Sequence, residues 1–190
     1  MTRFKIGIII TVMLLFLAGC GGGKIPTSSF LRENTNLSLI QSVAVLPFEG
    51  GQHASRLREL TMTQLLATNT FDLVDKGRVD VFLKQEAIAP GAPIDVFTIR
   101  RLGESMNVQA VLLGSVEQTS SARGSAVFPE ITMTLRLVDS ESGQLLWQAS
   151  GRASGYSTAD RLFGFAPKDT FQVTLDLLNE LFITMRPVQK

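Results

Sequence analysis

The strongest constraint on the fold is a pair of short, nearly unbroken apolar runs: SVAVLPF (Ser42–Phe48) and the first half of VQAVLLGSVEQ (Val108–Gln118). Apolar residues at both odd and even positions suit a strand covered on both faces. Amphipathic helical patterns and a third short run lie between them. Leu57, Leu60, Thr61 and Leu65 recur at threes and fours, which predicts a helix over His53–Thr68 that lies on the first strand. FDLVDK (Phe71–Lys76) reads as a second strand, and Val79, Phe82 and Leu83 give the inward side of a short helix that Pro90-Gly91-Ala92-Pro93 stops. Asp95 caps a third helix with Val96, Ile99, Leu102 and Met106 on one side.

After the second apolar run the period changes. In ITMTLRLVD, Ile131, Met133, Leu135 and Leu137 alternate with Thr132, Thr134 and Arg136, so one face of this strand is wet. DSESG (Asp139–Gly143) has turn chemistry, with Gly143 free to take positive φ, and QLLWQASGR returns as a hairpin partner. Asp169 caps a last helix whose stripe is Phe171, Leu175, Leu178, Phe182 and Met185, ended by Pro187. The order is β-α-β-α-α-β-β-β-α: an α/β fold with a mixed sheet of about five strands and helices packed on it.

The chain has one cysteine, Cys20, placed between an apolar run and three glycines. Arg3 and Lys5 precede the apolar stretch Ile6–Leu17, and small residues follow, which is the order of a secretory signal and too short for a membrane span. Leu17-Ala18-Gly19-Cys20 resembles the lipobox of bacterial lipoproteins, where cleavage before the cysteine is coupled to its acylation. Several acyl chains on Cys20 anchor a protein durably where one does not. The expected organisation is a signal peptide over residues 1–19, a lipidated cysteine and flexible tether over 20–38, and one periplasmic domain over 39–187. A tether of about 18 residues has a root-mean-square reach of about 20–25 Å and keeps the domain near the bilayer. Gly21 after the cysteine resembles lipoproteins sorted to the outer membrane.

Removal of the signal leaves about 170 residues, enough for one domain with a substantial core. The formal charge is +1 and the basic residues are scattered, so no electrostatic footprint for nucleic acid exists. With Cys20 consumed by acylation the domain has no disulfide and is held by packing. Candidate chemistry is sparse. His53 is the only histidine, so a triad or an imidazole metal site would have to use it. In Gly151-Arg152-Ala153-Ser154-Gly155 the serine falls one place too late for a nucleophile elbow. Neither Gly50-Gly51 nor Gly21–Gly23 has the lysine and hydroxyl of a phosphate loop. Asp72, Asp75, Asp139 and Glu141 fall at strand ends and turns. We therefore expect no catalytic residue, no metal and no cofactor.

Two features suit assembly instead. Trp147 shares a hairpin face with Leu145 and Ala149, where it serves the core or anchors an interface. Leu162, Phe163 and Phe165 fall in a long loop without periodicity, a segment that either folds back or meets a partner.

VAVLPFEG, LTMTQLLATNTFDLVDKGRVDVFLKQEAI, VQAVLLGSVEQ and LRLVDSESGQLLWQASG, in this order behind a lipobox, resemble the CsgG, PelC and LpoB family of bacterial lipoproteins, over about Ser42 to Met185. The resemblance implies an αβα sandwich at the periplasmic face of the outer membrane, working without catalysis as an oligomer or adaptor beside other envelope export proteins. Pore-forming members carry two long membrane hairpins, each strand of which needs about 9–11 residues. The one candidate insert here, Thr119–Pro129, is too short for them. The PelC-like role in export is therefore expected, with activation of a peptidoglycan synthase as the alternative.

Overall fold

The computed structural model describes residues 25–123, 126–156 and 166–185. Its strands are β1 (Thr27–Leu31), β2 (Ser42–Val45), β3 (Glu49–Gly50), β4 (Asp72–Leu73), β5 (Ala110–Arg123), β6 (Ala126–Asp139) and β7 (Leu145–Ser154). Its α-helices are α1 (Ala54–Ala67), α2 (Lys76–Gln85), α3 (Val96–Met106) and α4 (Thr170–Ile183). The strands form one mixed sheet in the order β1-β7-β6-β5-β2-β4, with β3 pairing with β5 farther along. β2 is parallel to both β4 and β5, whereas β5, β6, β7 and β1 are successively antiparallel.

The doubly apolar runs are covered as their composition requires. Val43 and Val45 of β2, with Ala110 and Leu112 of β5, face Leu57 and Leu65 of α1 and Leu177 and Leu181 of α4. Ala44, Leu46 and Val111 face the other way, onto Val79 and Phe82 of α2 and Ile99 and Leu102 of α3. This is a three-layer α/β/α arrangement. In β6, Ile131, Met133, Leu135 and Leu137 are fully buried on the α1/α4 side while Thr132 stays exposed and Thr134 and Arg136 are half-buried. Asp95 and Asp169 cap α3 and α4, accepting from the backbone N–H of Thr98 at 2.7 Å and of Gln172 at 2.8 Å. The Thr98 hydrogen bond holds the Asp95 carboxyl below its ordinary pKa.

Four expectations need correction. The sheet has seven strands rather than about five, the additions being β1 and the two-residue β3. Residues 20–38 are not all tether: Thr27–Leu31 pairs with β7, and Leu37–Leu39 forms one turn of 3-10 helix. The ordered domain therefore starts well before residue 39. In α4 the buried residues are Val173, Thr174, Leu177, Leu178, Leu181 and Phe182, whereas Phe171 is exposed and Leu175 half-buried. The stripe is rotated because this helix is apolar around most of its circumference. Finally, a register shift between Leu137 and Val138 turns Leu145 to the α2/α3 side, so it does not share a face with Trp147 and Ala149.

Candidate functional site

In open α/β sheets, ligands settle at the C-terminal ends of parallel strands, where successive connections leave in opposite directions. That point lies here between β2 and β5: α1 leads from β2 to β4 on one side, and α2 and α3 lead from β4 back to β5 on the other face. Directly past β2 that place is filled, and farther along β5 a groove of about 450 Å³ opens, lined by Gly50, Gly51, His53, Ala54, Val116 and Glu117. Phe48, buried after β2, lies against Gly114 of β5 so closely that a Cβ on Gly114 would come within 2.6 Å of the ring. Gly114 is thus glycine because the phenyl ring occupies its side-chain space. Gly91, at φ +75°, brings the loop after α2 against the backbone of Phe48 and Glu49.

Beside Phe48, Arg58 of α1 is buried and ties three elements together. Its Nε and Nη2 donate to the Val45 carbonyl at 3.1 and 2.7 Å, and its Nη1 to Asp80 Oδ1 of α2 at 2.6 Å. Val74 N–H donates to the Val43 carbonyl, but β4 ends at Leu73, so two residues on the Val45 carbonyl has no strand partner on that side. The guanidinium completes the ladder. Its donors are engaged in structure and its only acidic partner, Asp80, is 44% exposed.

His53 precedes α1 on the surface, with Nε2 3.2 Å from Gln52 Nε2. It lines a cavity of about 140 Å³ with Arg56, Gln118 and Phe171, and on its other side the groove of about 450 Å³ that Glu117 and Thr119 also line. Among the described residues no group of three or more His, Cys, Asp or Glu is placed to hold a metal. His53→Ala is expected to change stability by less than about 0.5 kcal/mol, as for other exposed sites, and to leave activity in the cell intact. Thermal denaturation and complementation check it; a lost activity at unchanged stability would restore His53 as a functional group.

Trp147 is 0% exposed. Its indole N–H donates to Thr184 Oγ1 at 3.0 Å and its ring lies 6.5 Å from that of Phe182. The interface reading of Trp147 is corrected: α4 covers it within its own domain. Cys20, Leu162, Phe163 and Phe165 lie outside the described residues. The sequence reading missed Arg58, the Phe48–Gly114 contact and an apolar cleft of about 510 Å³ between the C-terminal ends of α1 and α4, lined by Leu37, Leu65, Phe182, Ile183 and Met185. The glycine inside VLLGS was a legible sign of close approach.

No protein-family model matches the chain, and no curated protein matches it in sequence. Solved structures share the fold. The PelC dodecamer from Paraburkholderia phytofirmans superposes with a TM-score of 0.58 at 15% identity, covering 86% of this chain and 99% of that one. Lipoprotein GNA1162 from Neisseria meningitidis gives 0.56 at 18% identity, covering 76% and 96%. The LpoB C-terminal domain from Escherichia coli superposes less well, at 0.45 and 14% identity over 74% and 91%, too low to show a shared fold.

Proposed function

We propose that this chain is a lipoprotein acylated at Cys20 and held at the periplasmic face of the outer membrane, where it acts without catalysis as a structural or assembly subunit of an export apparatus. The observation that carries this reading is the narrowed switch point: Phe48 packs against Gly114 at the ends of β2 and β5, and the groove beyond it joins His53 to one carboxylate, Glu117, and, among the described residues, no thiol. The fold shared with a dodecameric PelC and with a lipoprotein supports it, as does the basic, apolar and small-residue order ending at Cys20. Copies of the chain assemble with one another, and Leu162, Phe163 and Phe165 are candidates for one contact between them.

The start of β1 bears on the alternative. From Cys20 to Thr27 even a fully extended chain spans at most about 25 Å. An activator of a distant synthase needs a longer arm, so the short reach favours a role at the anchoring membrane.

Two experiments test the reading. Cys20→Ser is expected to accumulate as an uncleaved precursor without incorporated palmitate; an unmodified thiol in the mass spectrum of the mature wild-type protein sinks the anchor. Loss of the chain from its host is expected to trap an exported polymer in the periplasm. Unimpaired export with weakened wall synthesis would favour the activator instead.

A further inference from the structure

The outer edge of β1 is unpaired among the described residues, and its composition does nothing to protect it. Edge strands are normally blunted by charge, proline or bulges. Thr27-Ser28-Ser29-Phe30-Leu31 contains no charge and no proline, pairs with β7 without a register shift, and is exposed along most of its length.

Backbone direction decides what the edge offers. Arg32 N–H donates to the Leu146 carbonyl and the Pro26 carbonyl accepts from Arg152, so residues of even number face β7. Alternation then turns Thr27, Ser29 and Leu31 outward, each with one N–H and one carbonyl. These six groups are self-complementary. An antiparallel second copy of β1, related by a two-fold axis through Ser29, sets Ser29 opposite Ser29 and Thr27 opposite Leu31. All six groups on each copy are then bonded with no residue left over. The same register sets Phe30, 47% exposed, diagonal to its symmetry mate on one sheet face, within reach for aromatic contact.

We infer that β1 is a self-pairing edge, through which two copies of this chain join their sheets into one. The inference rests on backbone geometry and goes beyond the proposed export role. Points related by a two-fold axis stand equally far from a plane perpendicular to it, so such a pair is compatible with two anchors in one bilayer. A two-fold contact closes on itself, and any assembly larger than a dimer uses a second surface.

The test is oxidative cross-linking of the full chain in its own envelope. Ser29→Cys puts the two Cα atoms about 5.5 Å apart, within disulfide range. Ser28→Cys lies one residue off the axis, so it and its symmetry mate are offset by two positions, with their Cα atoms more than about 7 Å apart, outside that range. The expected result is a band at twice the subunit mass for Ser29→Cys alone. Ser29→Pro removes an outward N–H without touching the β7 ladder; it is expected to halve the mass measured by light scattering in detergent while thermal stability is kept. No cross-link at position 29, equal cross-linking at 28 and 29, or a product at another mass overturns the inference. A cross-link in the wild-type chain instead reveals Cys20 as a free thiol; it refutes acylation, and the strand pair is then read in a Cys20→Ser background.

Discussion

Trp147→Ala is expected to lower the stability of the isolated domain by about 3–5 kcal/mol, the usual range for deleting a large buried aromatic side chain. The residue is fully enclosed, lies beneath α4 beside Phe182, and bonds Thr184 at the helix end. Its loss leaves a cavity under α4. In a domain of this size that is a fall of roughly 6–20 °C in Tm. Trp147→Phe keeps most of the volume and loses the N–H with a small part of the ring, so it is expected to cost about 1–2 kcal/mol. Thermal unfolding at two protein concentrations is the check. An unchanged Tm accompanied by weaker self-association would return Trp147 to an interface.

Arg58→Ala is the second large effect, at about 2–4 kcal/mol. Most of it comes from the Val45 carbonyl, which is left without the donor that β4 is too short to provide; a buried orphan acceptor costs about 1–3 kcal/mol. The buried aliphatic stem adds packing loss. The ion pair adds little, because Asp80 is half-exposed and such pairs contribute about 0–1 kcal/mol. Asp80→Asn is therefore expected to cost less than about 1 kcal/mol, and Arg58→Lys to fall between the two. Urea titrations of the three variants decide it. If Asp80→Asn costs as much as Arg58→Ala, the ion pair and not the strand carbonyl is the source of the effect.

The sequence carries the parts of this fold in which a segment's own residues reveal its surroundings. Ser42–Phe48 and Val108–Gln118 are apolar on both sides and become the strands covered on both faces. Ile131 to Leu137 alternates and becomes a strand with one wet face. What stays hidden depends on partners distant in the chain. Thr27–Leu31 is polar and exposed, so its strand character comes almost wholly from β7 and leaves no periodic mark. The single residue that shifts register near Leu137 reverses the faces of everything before Trp147 in β7, and no alternation count reveals it. Arg58 sits next to Leu57 in an ordinary helical pattern; only the length of β4 explains why a cation is buried there. The narrowed switch point needed two signals read together, an apolar run ending in Phe48 and a glycine inside a later strand.

The pairing of β1 with β7 also sets an order of events. Arg32, which follows β1, donates to the carbonyl of Leu145, 113 positions later, and among the described residues β1 pairs with no strand but β7. A chain delivered across a membrane from its N-terminus presents Thr27–Leu31 early and gives that strand its partner near the end. Contacts of such sequence separation form slowly, because a long loop must close first. The first described strand in the chain is thus among the last to dock. A strand of threonine, two serines, phenylalanine and leucine, four of its five residues exposed, can wait in water for that interval without a core of its own.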